Sequence, residues 1–84
     1  MSKFAILLNA SELTPGKKAV IEDLPESQFN QRLAEMGCVP ETTIELLYRA
    51  PSGDPIAFDI DGYILALRKS EAACILVKKN DSNA

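Results

Sequence analysis

Three aspartates, Asp54, Asp59 and Asp61, form the one acidic cluster of this sequence. The chemistry such a cluster could do is oxygen ligation of a hard cation. Asp59 and Asp61 stand two apart, which on a strand puts both on one face. The plainer account is the wet face of an antiparallel strand. Cys38 and Cys74 are too few and too far apart for a metal knuckle or a disulfide framework. Free cysteine is more often a small buried hydrophobe. The chain has no histidine, so the commonest metal ligand is missing and the Ser, Thr and Tyr hydroxyls lack their usual base. Pro15-Gly16-Lys17-Lys18 has the Gly-Lys pair of a phosphate loop without its upstream glycine or following hydroxyl. These residues give no catalytic group, no metal site and no cofactor. What is left is a surface built for binding.

The elements that would position such a surface follow from the turns. Asp61-Gly62 stands between two apolar runs, the strongest short-range hairpin signal, because both central residues of a type I′ turn need positive φ. Upstream lies the loop Pro51-Ser52-Gly53-Asp54-Pro55. Its prolines withhold backbone donors, Gly53 supplies positive φ, and Asp54 can hold its own backbone in an Asx-turn. The loop reads as a stiff connection that can also present Ser52 and Asp54 to a partner.

Strands are expected over Lys17 to Leu24, Thr43 to Ala50, Ile56 to Ile60, Tyr63 to Leu67 and Ile75 to Val77. In the second, Ile44, Leu46 and Tyr48 share one side. Ile64 is apolar on the face opposite Tyr63, Leu65 and Leu67. A helix is expected over Ser27 to Met36, with Phe29, Leu33 and Met36 as its buried stripe and Gly37 ending it. Asn9 to Leu13 should form a helical turn capped by Ser11 or Asn9, and Ser70 should cap another over Ser70 to Ala73. Thr14-Pro15-Gly16 turns the chain. Lys78 to Ala84 is polar with nothing to bury and reads as disordered. The division adopted is one domain over 1–79 and a disordered tail over 80–84. The fold class is mainly β with one helix, a small bent sheet of five strands closing on itself.

Length and charge bound the rest. Eighty-four residues make one domain that must spend nearly every apolar residue on packing. Nine basic residues against twelve acidic give a net charge of −3, without the positive footprint that nucleic acid or an anionic membrane would need. The longest apolar run, Phe4 to Leu8, is too short for a membrane span or a signal peptide. A soluble cytoplasmic protein without membrane insertion is expected.

Taken together, Arg32-Leu33-Ala34-Glu35-Met36-Gly37, Val39-Pro40, Arg49-Ala50-Pro51-x-Gly53-Asp54-Pro55-Ile56 and Gly62-Tyr63-x-Leu65-Ala66-Leu67-Arg68 resemble the FeoA family of ferrous-iron transport accessory proteins. Ser11-Glu12-Leu13-x-Pro15-Gly16 is similar to that family's opening, and the resemblance runs from about Ser11 to Val77. It implies a small SH3-like β-barrel and a cytoplasmic, non-catalytic partner of FeoB, a membrane permease with a GTPase domain. Contacts are expected at Arg32, Glu35, Ser52, Gly53, Asp54 and Ile64, and self-association is left open. The alternative is a transition-metal-binding sensor, like the domain appended to DtxR-type repressors, with Cys38 or the aspartates as ligands. A third, an RNA-binding small barrel, fits the net charge poorly. Pro40-Glu41 replaces the family's frequent Pro-Gly, so a type I turn, which accepts most residues, is expected there.

Overall fold

The computed structural model describes residues 5–80. In chain order come β1 (Ala5–Asn9), a 3-10 turn (Ala10–Glu12), β2 (Lys18–Asp23), α1 (Asn30–Glu35), β3 (Thr43–Arg49), β4 (Ile56–Ile60), β5 (Tyr63–Leu67), α2 (Lys69–Ala72) and β6 (Leu76–Asn80). The strands form one antiparallel sheet in the order β1-β6-β2-β3-β4-β5. It is the mainly β, SH3-like fold expected, with six strands rather than five. The ladder is open, and β1 and β5 are its two edges. Ile21, Ile44, Leu46, Ile56, Phe58, Ile60, Ile75 and Val77 fill the core, joined by Leu33 of α1 and Ala72 of α2.

Local chemistry decides the turns. Asp61 and Gly62 have φ of 49° and 104°, the type I′ pattern, and they set Ile60 opposite Tyr63 in the β4–β5 register. Before β2, Lys17 N donates to Thr14 O at 3.1 Å with Gly16 at φ 85°, which is a type II turn. Asn9 caps the 3-10 turn through its side chain, which accepts from Ser11 N at 3.0 Å. α1 ends in a Schellman motif, with Cys38 N donating to Leu33 O and Gly37 N to Ala34 O. Gly37 is at φ 96°, and a Cβ there would stand 2.0 Å from the Tyr63 hydroxyl oxygen.

Six expectations need correction. β1 was not foreseen: a continuous apolar run carries no alternation, and its strand character comes from pairing with β6. β6 runs to Asn80, so Lys78 and Lys79 lie inside a strand rather than in a tail; positions 81–84 are outside the described residues. α1 starts three residues after Ser27, whose Oγ accepts from Phe29 N and spends it on a turn before the helix. Tyr48 leaves the side of Ile44 and Leu46 because the β3–β4 register slips between Leu46 and Tyr48; a bulge inserts one residue and turns the next outward, leaving Tyr48 64% exposed. Ser70 is not the cap of α2, which begins at Lys69 after Arg68. Glu41 has φ 76°. Its turn is type II, closed by Thr42 N on Val39 O. Clamping to β2 imposes the strain, since Glu41 N donates to Ile21 O at 2.8 Å and Ile21 N to Thr42 O at 2.9 Å.

Candidate functional site

α2 starts where β5 ends, and its first turn needs acceptors for free N–H groups. Two carboxylates supply them. Asp54 Oδ1 accepts from Lys69 N at 2.9 Å, and Glu71 Oε1 accepts from Arg68 N at 2.8 Å. Asp54 therefore ties the 51–55 loop to α2 instead of closing an Asx-turn on itself. Within the loop, Ser52 Oγ donates to Asp54 O at 3.1 Å and Gly53 N to Ala50 O at 2.7 Å. Gly53 adopts φ 95°, as a tight tip requires.

Glu71 is 4% exposed, yet it is charged chemistry in a small core. Its second oxygen accepts from Arg32 Nη1, forming an ion pair across 39 positions of the chain. The guanidinium itself stays in water, with 63% of the Arg32 side chain exposed. Burial of one charge is tolerated because hydrogen bonds and a partner meet it. Cys38 is fully buried. Burial pushes its thiol up to about 11 from 9.0, and the negative charge of Glu71 adds to the effect. Cys74 is half-buried rather than core.

These groups border a surface cleft of about 380 Å³, lined by Arg32, Asp54, Pro55, Ala66, Arg68 and Glu71. Arg32 and Arg68 line it together with the apolar Pro55 and Ala66, a composition suited to a carboxylate with an apolar flank. Arg32 and Asp54, sought separately in the sequence, thus meet at one site. Ser52 and Gly53 flank it on the loop. Glu35 is exposed on α1, where Oε2 accepts from Gln31 Nε2 at 3.4 Å. Ile64 is 66% exposed on the face of β5 that carries Ala66, beyond the cleft's edge. Sequence reasoning missed Arg68 and Glu71. The signal was present: a glutamate at the third helical position, which reaches back to the backbone N–H before the helix.

A second cleft, about 370 Å³, lies at the far end of the β4–β5 hairpin and is lined by Lys18, Thr43, Glu45, Asp59, Asp61 and Gly62. Asp59 Oδ1 accepts from Gly62 N at 2.8 Å. Its carboxylate serves the turn. No helix among the described residues is long and apolar enough to cross a membrane.

The fold is an open six-stranded SH3-like sheet with a polar cleft at one end, and comparison with known proteins gives it a family. The FeoA domain model matches residues 8–79, and the chain belongs to the FeoA family. It is 38% identical over 78 residues to the Fe(2+) transport protein A/Fe(2+) transporter FeoB fusion protein of Porphyromonas gingivalis; that match covers 92% of this chain and 9% of the fusion protein. The solution structure of a FeoA-like protein from Clostridium acetobutylicum is 40% identical, with a TM-score of 0.78 over 92% of this chain and 87% of that one. FeoA of Stenotrophomonas maltophilia complexed with zinc, described as an SH3 domain protein, is 28% identical, with a TM-score of 0.73 over 83% and 88%. A manganese-dependent transcriptional repressor matches at a TM-score of 0.78 but 17% identity, over 88% of this chain and 41% of its own. That likeness shows the fold alone. The family links this chain to ferrous iron transport.

Proposed function

We propose that this chain is a non-catalytic cytoplasmic accessory of Fe(II) uptake that docks on the cytosolic part of a FeoB-type GTPase-permease. The cleft between Arg32, Asp54 and Arg68 carries the reading. The Arg32 guanidinium is held by the buried Glu71 carboxylate, and Arg68 stands just before the capped helix with its cation unspent, which gives a partner's acidic segment a receptor whose backbone is already in place. Glu35 and Ser52 and Gly53 extend the docking surface on either side, and Ile64 supplies an apolar contact beside it. The fused relative supports the same pairing, because joining FeoA to FeoB in one chain makes their contact intramolecular.

Isothermal titration of the chain into the cytosolic part of FeoB, with and without guanine nucleotide, tests this. Arg68→Glu removes a cation that the fold does not use and should weaken binding about ten-fold or more. Binding that ignores this reversal would remove the cleft from the interface. No binding in any nucleotide state would remove FeoB as the direct partner.

A further inference from the structure

The β5 edge of the sheet is unprotected in an unusual way. Natural edge strands are blunted by charges, proline or bulges, yet β5 is Tyr-Ile-Leu-Ala-Leu, with an unbroken register to β4. A two-residue turn closes on a hydrogen-bonded pair, here Ile60 with Tyr63, and alternation then turns Leu65 and Leu67 toward β4 as well. The N–H and C=O groups of Ile64 and Ala66 point the other way, out of the sheet. Among the described residues, no backbone or side-chain group meets them from that side. Ile64 is 66% exposed and Tyr63 47%.

We propose that β5 pairs antiparallel with β5 of a second copy, about a two-fold axis at Leu65. This register sets Ile64 opposite Ala66 of the other copy, and Ala66 opposite its Ile64. Every outward N–H and C=O of both strands then finds a partner, whereas a two-residue slip in either direction leaves half of them unmet. The side chains agree, because each Ile64 lies beside the small Ala66 of its mate. The charges agree too. Asp61 precedes the strand and Arg68-Lys69 follow it, so antiparallel pairing brings the acidic end of each copy beside the basic end of the other. A two-fold interface needs this self-complementarity. The pairing is edge to edge, so it leaves the faces of the sheet open and lays two arginine clefts side by side. One five-residue edge falls below the roughly 1,200 Å² of stable interfaces, and the dimer is accordingly weak and concentration-dependent.

Sedimentation equilibrium of the full chain, from micromolar to millimolar, should show reversible dimer. Ala66→Pro deletes an outward donor at a position where an edge strand tolerates proline, and Ile64→Lys puts a charge beside Ala66. Each should raise the dissociation constant about ten-fold or more while circular dichroism of the dilute chain is unchanged. Asp61→Asn, which suits the same turn, should weaken the dimer at low salt and hardly at all at high salt. In a Cys74→Ser background, Ile64→Cys chains mixed with Ala66→Cys chains should cross-link faster than either alone, since the register sets those positions opposite one another. A chain monomeric at millimolar concentration overturns the proposal, as does a dimer indifferent to both edge variants. If the Ile64 and Ala66 amides become protected only when the cytosolic part of FeoB is added, the edge belongs to that protein instead. The accessory role stands or falls separately, on the titration with FeoB.

Discussion

The two clefts sit at opposite ends of the β4–β5 hairpin, nearly equal in volume and opposite in how their charges are held. At the turn end, Lys18 is paired across strands with Glu45, and Glu45 with Asp59. None of these groups is buried, and Asp59 is occupied with the Gly62 amide. At the loop end, a carboxylate is buried and a guanidinium reaches in to it from a helix 39 positions away. The acidic cleft is a solvated face shaped by strand register. The arginine cleft is organised around a buried charge, because taking Glu71 out of water fixes where Arg32 and α2 must stand. Sign of charge does not separate a site from a surface here. Burial of the counter-charge does.

The largest expected effect comes from removing the arginine cleft's support. Leu33 is fully buried and is the central anchor of α1, which carries Arg32. Leu33→Ala should cost about 2–5 kcal/mol, a large share of a total on the order of 5 kcal/mol for so small a domain. A urea melt checks it. Near-native stability with lost FeoB binding would move Leu33 from core to interface and collapse the distinction between scaffold and site.

Next is a pH effect confined to the arginine end. The Cys38 thiol is pushed up to about 11, first by burial and then by Glu71. In the unfolded chain the thiol ionises earlier, so the folded state binds the extra proton at alkaline pH. The contribution is intact below about pH 9 and is lost as pH rises toward 11, by at most ~2–3 kcal/mol. Melts between about pH 8 and about pH 11 should show this limb, and Cys38→Ala should flatten it. A limb that survives the substitution would place the titrating group elsewhere. Thiol alkylation at neutral pH should reach Cys74 before Cys38.

The parts of this molecule legible in the sequence are those decided within a few residues. Asp61-Gly62, the Gly37 stop and the stripe of Phe29, Leu33 and Met36 all depend on local φ or helical period. What was not legible depends on distant partners. Tyr48 faces out because β4 imposes a bulge on β3. Glu41 accepts positive φ because β2 clamps it on both sides. β1 exists as a strand because β6 pairs with it. The lining of the arginine cleft divides the same way: Arg32 and Asp54 were expected on the helix face and the loop tip, and the fold brings both to one cleft. Glu71 carried a local signal only for its bond back to the Arg68 amide; nothing local says that it will also be buried against an arginine on another element.

The smallest effect expected is that of metal on the acidic cleft, and it is the sharpest test of calling that cleft a solvated face. A hard cation seeks six to eight converging oxygens. Here Lys18 contributes a competing ammonium at the same cleft, and one Asp59 oxygen already accepts from the Gly62 amide. Among the described residues, no group of three or more His, Cys, Asp or Glu side chains stands arranged to hold a metal ion. Fe(II) affinity should therefore be no better than about millimolar, a binding free energy near 4 kcal/mol, against the ~10 kcal/mol and upward of structural zinc sites. Chelators should leave the melting curve in place, because ligand removal destabilises only a protein that had bound it. Equilibrium dialysis of the reduced chain near neutral pH measures this directly. A one-to-one submicromolar complex lost in Asp59→Asn with Asp61→Asn would make the acidic cleft the organised site of the two. The chain would then be an Fe(II) sensor, and the arginine cleft would become the place where that occupancy is passed to a partner.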